Sequence, residues 1–348
     1  MILAGKHVLI TGGTGSLGQV FVRRLLTGEI GLPERITVFS RDEAKQHQMR
    51  VQYLNRQSAT DDVIYSNFKQ MIAFRIGDVR DYSSLLQAVN QADVVIHAAA
   101  LKQVPTCEYF PTQAVHTNIL GAENLVRAIS ENNTPVQTVV GISTDKACQP
   151  INVMGMTKAI MERILIEGNL DVGGKTRIVC VRYGNVIASR GSVVPLFLHQ
   201  IANGGPVTIT DKRMTRFLLS LDQAVDTVFA AIRWAEPGEI FVPIADAAKI
   251  TDLAAVMIGE RDIQMTLTGI RPGEKVHEIM VSEPESFWTI RKGDYYAIRP
   301  MLPELNDSPI TSPTLDGEYS SKAVTLDHDG LRNMLAKYLE TDQESTTL

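Results

Sequence analysis

The run HVLIT at His7–Thr11 ends in the glycine turn GGTG and passes at once into SLGQVFVRRLL. A short apolar run that breaks on glycines and resumes at a period near 3.6 reads as strand, tight turn, helix. Five further apolar runs repeat the pattern: Arg35–Ser40, Met71–Gly77, Asp93–Ala99, Thr138–Ser143 and Ile178–Gly184. Helix-period stretches such as NILGAENLVRAISENN lie between them. Near-continuous apolar strands separated by helices are buried on both faces, and right-handed crossovers then give one architecture. The prediction is an α/β fold, a doubly wound parallel sheet with the first strand near its middle.

The glycines of the first turn carry more than a bend. Gly12, Gly15 and Gly18 are spaced at threes, with Thr14, Ser16 and Leu17 in the same turn. Gly12 permits the tight turn, Gly15 lets backbone approach a pyrophosphate, and Gly18 allows the helix to pack close on the strand. The helix N-terminus favours the phosphate charge. In this context the set marks a dinucleotide site. The second strand ends in SRDEAK, with Ser40 and Arg41 at the tip and Lys45 one turn on. A hydroxyl and two cations suit a 2′-phosphate, so NADP is favoured; Asp42 keeps NAD open. GDVRD after the third strand puts Asp78 and Val79 beside the adenine, or else simply starts the next helix.

The fourth strand ends in small residues, Ala98, Ala99 and Ala100, followed by Lys102, which lets a ring approach the backbone. His97, inside the apolar run, is expected to be a core histidine. The fifth strand ends in STDKACQP, placing Asp145 and Lys146 together at the carboxyl edge. Adjacent residues point in different directions, so the pair can serve as acid and base on one substrate. In most chains it would be a solvated loop. NVMGMTKA follows, with Met154 and Lys158 on a predicted helix.

Several classes are set aside by composition. A net charge of −5 argues against nucleic acid as the main partner. Cys107, Cys148 and Cys180 lie far apart, which favours a reducing compartment and no metal site. No run of about 18 apolar residues predicts a membrane span, and the N-terminus has no signal-peptide layout, so cytoplasm is the expected setting. Residues 1–185 are assigned to a dinucleotide-binding domain to which 216–246 returns. Residues 186–215 and 247–302 form a smaller lobe, with a helix at ITDLAAVMIGE, and 303–348 an extension with one helix and a frayed tail.

From Lys6 to about Pro300 the chain resembles the extended short-chain dehydrogenase/reductases. More closely, it resembles the inverting UDP-N-acetylglucosamine 4,6-dehydratases of the flagellin-glycan and capsular branch. TGGTGSLG, SRDE, HAAALKQVP, TNILGAENL, STDKA, YGNVIASRGSVVP, MTRF and GIRPGEK carry the resemblance in order, and EYSS adds to it. It implies an NADP-dependent hydro-lyase that oxidises C4, removes the C5 proton and C6 hydroxyl, and returns hydride to C6. Thr144 and Asp145 would lie beside O4 and O6, and Lys146 would be the base at C5. Lys158 would bond the nicotinamide ribose. Asn118, Tyr183 and Asn185 complete the implied cofactor set. Lys102, Asn185, Arg190, Ser192, Val193, Pro195, Arg216, Arg271 and Glu274 would hold the substrate. Relatives form dimers or hexamers, which implies a homo-oligomer.

Met154 departs from the pattern, because a Tyr is expected there and a thioether takes no proton. Some capsular members of the branch are thought to carry Met at this place, and Asp145 then becomes the acceptor of the O4 proton. A UDP-hexose 4-epimerase and a non-catalytic NADP-binding protein are the alternatives.

Overall fold

The computed structural model describes residues 1–54, 67–187, 193–306 and 314–336. Its centre is the expected parallel sheet. Strands β1 (His7–Thr11), β2 (Arg35–Ser40), β3 (Ile72–Ile76), β4 (Val94–His97), β5 (Thr138–Thr144) and β6 (Arg177–Tyr183) stand in the order β3-β2-β1-β4-β5-β6. The first two strands begin and end where the sequence places them.

Alternation along each strand feeds two cores. Val8, Ile10, Ile36, Val38, Val94 and Ile96 face helices α1 (Ser16–Leu26) and α7 (Leu221–Trp234), where Phe21, Leu25, Val228 and Phe229 meet them. Leu9, Val95, Val139 and Ile178 face the other way, onto α3 (Tyr82–Val89), α4 (Leu120–Ser130) and α5 (Val153–Asp171). Helix α2 (Glu43–Leu54) follows β2, and its buried Met49 and Tyr53 belong to the first core. Neighbouring residues thus anchor opposite helical layers.

Beyond β6 the chain alternates between sheet and lobe. Strand β7 (Asn185–Val186), helix α6 (Val193–Ala202), β8 (Val207–Ile209) and β9 (Thr215–Leu219) come first. Strand β9 was not foreseen: TRFLL lies between β7 and a later strand, β11 (Ala247–Lys249). Strand β10 (Ile240–Pro243) joins the main sheet beside β6, as expected of EIFVPIAD. Helix α8 (Ile250–Ile258) packs Ile250, Leu253 and Ala254 against Val207, Ile209 and Phe197. Residues 328–336 are helical, and Leu331 and Leu335 complete that lobe's core.

Strands β12 (Met265–Leu267), β13 (Ile279–Val281), β14 (Thr289–Lys292), β15 (Tyr295–Ile298) and β16 (Tyr319–Ser320) follow. One lobe assignment is corrected here. Residues 289–298 do not stay in the lobe; β14 and β15 extend the main sheet antiparallel from β10. Gly293, at φ 66, makes the turn between them. Strand β16, from the C-terminal extension, pairs with β13.

Candidate active site

All seven parallel strands end on one edge, so loops distant in sequence gather there. A crevice of about 610 Å³ opens at the ends of β1, β2 and β4, lined by Gly12, Thr14, Gly15, Ser16, Ser40, Arg41, Lys45, Asp78, Val79, Ala99, Ala100 and Lys102. Those twelve residues are among the ones picked out from sequence. Gly12 has φ +68, and a Cβ there would sit 2.9 Å from the Ala98 carbonyl oxygen. A side chain would therefore fill the floor. Gly15 caps α1 without a side-chain hydrogen bond, leaving the helix's first amides directed at the crevice.

The second-strand cations sit on the rim. Arg41 lies 3.6 Å from Asp78 and Lys45 2.9 Å from Asp42, each about half exposed. Asp78 is also held by Arg80. Burial opposes ionisation of Asp78, but its hydrogen bonds with Arg80 outweigh that and keep its pKa below the usual range.

Other positions chosen from sequence have different surroundings. Gly18 lies against the Gly13 backbone, and Leu17 and Ala98 pack on the core. Asn118 is fully buried, and its amide is consumed within the protein, accepting from Leu101 N and donating to Leu101 O and Thr157 Oγ1. It ties the loop after β4 to α5, while its neighbour Thr117 reaches the crevice. Gln19 and Arg23 of α1 also line it and were missed, as were Ile187, Ser220 and Asp222, which only the fold brings across from α1.

One strand over, β5 leads into Asp145 and Lys146. Asp145 is fully buried. Its Oδ1 accepts from Thr144 Oγ1 at 2.8 Å and Lys146 Nζ at 3.0 Å, and its Oδ2 has no partner among the described residues. Lys146 Nζ also donates to Asn185 Oδ1 at 3.1 Å and stands 3.4 Å from Glu278 Oε1. Burial works to lower the Lys146 pKa, yet Asp145 and Glu278 outweigh it and raise the pKa above the ordinary lysine value. Lys146 rests as an ammonium. Nothing in the local sequence pointed to Glu278.

Helix α5 is fixed against this pair. Asn152 caps it by accepting from Gly155 N, and a Cβ on Gly155 would clash with the Lys146 carbonyl. Met154 is buried with Cys107 and Ala114, beside Leu101 and Val104. The helix therefore offers an apolar side chain at this place. Lys158 is 5% exposed. Burial, only partly offset by nearby Cys180 and Glu162, pushes its pKa down to about 8. His97 Nδ1 lies 3.1 Å from Thr11 Oγ1, and burial together with the Lys158 charge pushes its pKa down to about 3. It is a neutral core histidine, as expected. Farther along α5, Glu162 pairs with Arg182 of β6, and Glu285 takes the other side of the same buried guanidinium.

The lobe closes over the site through the loop 271–275. Asn152 Nδ2 donates to Gly273 O at 2.8 Å, and Lys275 Nζ donates to Cys148 O. Arg271 is exposed, and Glu274 Oε2 is buried without a partner among the described residues. Arg216 is 8% exposed, and its forked nitrogens donate to the carbonyls of Thr215, Lys275 and Val276. Its Nε stands 3.7 Å from Glu278. Val193 and Pro195 begin α6. Arg190 and Ser192 lie outside the described residues. No helix among those described is long and apolar enough to cross a membrane.

Burial thus pushes the Lys158 pKa down, while nearby carboxylates push that of Lys146 up. The first has a measurable consequence. For Lys158 the folded pKa of about 8 lies below the ordinary 10.5. Below pH 8 both states are protonated, and the folded state bears the full desolvation cost. Between these values the unfolded chain binds the extra proton, so stability rises with pH. Lys158→Met should therefore stabilise the cofactor-free chain by roughly 3 kcal/mol at pH 7, an advantage that shrinks toward pH 10. Urea unfolding of both forms across that range measures it, and a pH-independent difference would contradict the assignment.

A model of the family described as polysaccharide biosynthesis protein matches residues 8–300. The chain is 45% identical over 297 residues to a UDP-glucose 4-epimerase of Rickettsia bellii (strain OSU 85-389), covering 84% of this chain and 82% of that one. It is 43% identical over 300 residues to a UDP-N-acetylglucosamine 4,6-dehydratase (inverting) of Campylobacter jejuni subsp. jejuni serotype O:23/36 (strain 81-176), covering 86% and 84%. Among solved structures, Pen from Bacillus thuringiensis superposes with a TM-score of 0.84 at 33% identity, over 97% of this chain and 100% of that one.

Proposed function

The chain belongs to the polysaccharide biosynthesis protein family, and from that premise we propose that it is a nucleotide-sugar 4,6-dehydratase. Its substrate on this reading is UDP-N-acetylglucosamine, converted with inversion at C5, and its dinucleotide is NADP. One observation carries the choice of reaction: the buried couple of Asp145 and Lys146, 3.0 Å apart at the carboxyl end of β5. Dehydration needs an acid for the C6 oxygen and a base for the C5 proton, and this couple offers both.

The crevice suits a dinucleotide, because its glycine floor has no room for a Cβ and the amides of α1 face the phosphate position. Ser40, Arg41 and Lys45 would receive the 2′-phosphate. When bound, the dinucleotide supplies the electron sink, taking hydride from C4 and returning it to C6. Everything else falls to the protein. Asp145, with Thr144 donating to it, takes the O4 proton as C4 becomes a ketone. The ketone acidifies C5, and Lys146 removes that proton. Asp145 then gives its proton to the departing C6 oxygen, and water leaves. Protonation of C5 from the opposite face inverts it. Lys158 holds the nicotinamide ribose. Arg271 and Glu274 meet the diphosphate and uridine ribose, and Arg216 does so once its carbonyl contacts are exchanged for phosphate oxygens.

Met154 supports this assignment. With a thioether packed among Cys107 and Ala114, α5 supplies no hydroxyl for O4 at this position, and on this reading the carboxylate of Asp145 takes that task.

A second reading, a UDP-hexose 4-epimerase, draws on the name of the Rickettsia bellii relative. That reaction returns hydride to C4 and makes no use of a base at C5. Incubation with UDP-N-acetylglucosamine separates the two by product mass: dehydration removes one water, and epimerisation leaves the mass unchanged.

A further inference from the structure

If Lys146 is the base at C5, it must first lose a proton. Two of its three neighbours are poor destinations. Asn185 presents an amide oxygen, which does not hold a proton near neutral pH. Asp145 is engaged with O4 and O6. The third neighbour is Glu278, placed immediately before β13 with its Oε1 3.4 Å from Lys146 Nζ. Glu278 is 2% exposed, and its Oε2 has no partner among the described residues. That second oxygen leaves Glu278 with an open acceptor position beside the ammonium.

The backbone of Glu278 is also held still. Ser321, next to β16, accepts from Glu278 N at 3.0 Å and donates its own amide to Glu278 O at 2.8 Å. Ser321 Oγ lies 2.6 Å from Thr215 Oγ1, which in turn meets His277 Nδ1 at 2.8 Å. The C-terminal segment thereby straps the backbone at Glu278, just before β13, against the site.

We propose that Glu278 is the proton store for Lys146, the positioning residue that turns this ammonium into an amine when C5 is to be deprotonated. The inference rests on the dehydratase reading. In the step, one N–H bond of Lys146 breaks and an O–H bond forms on Glu278. The amine's lone pair then takes the C5 proton, and the C5–H electron pair passes into the enolate of the 4-ketone. After hydride has returned to C6, C5 is reprotonated. The proton for C5 comes from solvent on the opposite face; Lys146 already carries the proton it took from C5, so the Glu278 proton leaves to solvent and the resting charges are restored. The charged groups facing Lys146 are Asp145, Glu278 and Arg216. Arg216 also faces Glu278, at 3.7 Å, while His277 turns to Thr215.

The test uses the NADP-loaded full chain with UDP-N-acetylglucosamine in deuterated water. Glu278→Gln should oxidise C4 at close to the normal rate, read as reduced-cofactor absorbance. Deuterium entry at C5 should fall about 100-fold near neutral pH. It should recover by about tenfold per unit as rising pH lets solvent deprotonate Lys146. A structural lesion would slow both steps at every pH, and that result would overturn the proposal. So would C5 exchange at the normal rate with the normal pH profile. Glu278→Asp, which keeps a carboxylate, should show an intermediate exchange rate. If the Gln variant fails to fold, unchanged exchange in the Asp variant overturns the idea, and selective slowing supports it. An unaltered chain that neither oxidises C4 nor exchanges C5 overturns the underlying reading instead.

Discussion

Asp145→Asn should lose C4 oxidation by roughly 10³- to 10⁴-fold, the range removed with a well-placed general base. The side chain is fully buried, so the isosteric amide keeps its shape and still accepts from Thr144 and Lys146. What it loses is the capacity to take a proton. UDP and NADP binding should change little, because neither the glycine turn nor the loop 271–275 touches this carboxylate. Stopped-flow absorbance of the reduced cofactor reads the first step, and calorimetry with UDP reads the second. Retained 4-keto formation would remove Asp145 from its role at O4. The hydroxyl of Thr144, 2.8 Å from Asp145, would then need reassessment as the primary acceptor.

Lys146→Ala should separate the two halves of the reaction. On the proposed mechanism oxidation at C4 relies on Asp145 and should survive, within about tenfold, since the change also removes a charge partner of that carboxylate. Deuterium entry at C5 should cease, a loss of roughly 10⁴-fold. NMR of the C5 position in deuterated water measures this directly. The variant also leaves two buried carboxylates, Asp145 and Glu278, without the ammonium between them, so binding of an anionic nucleotide sugar should weaken. Undiminished exchange at C5 would exclude Lys146 as the base.

The main sheet was legible because its strands are continuous apolar runs separated by helix-period stretches, and burial on both faces leaves such runs no other use. The lobe was less so. TRFLL becomes a strand because Asn185–Val186 and Ala247–Lys249 flank it, and no local period announces that. Strands β14 and β15 did carry a signal: RKGDYY holds a glycine turn between β-prone residues, and it reads as a hairpin. In the site, Asp145 and Lys146 could be found because they are adjacent. Glu278 could not, since its only tie to Lys146 is through space. Asn118 shows a structural tie that sequence spacing does not announce. A polar residue near the crevice looks like a ligand contact, yet its whole amide is spent holding a loop to a helix.

The central claim is that electrons leave one carbon of a hexose and return to another while water departs between them. UDP-N-acetylglucosamine carrying deuterium at C4 follows those electrons. The account predicts that the label appears in the C6 methyl group of a 4-keto product, with one solvent hydrogen at C5. Label remaining at C4 in a product of unchanged mass would contradict it.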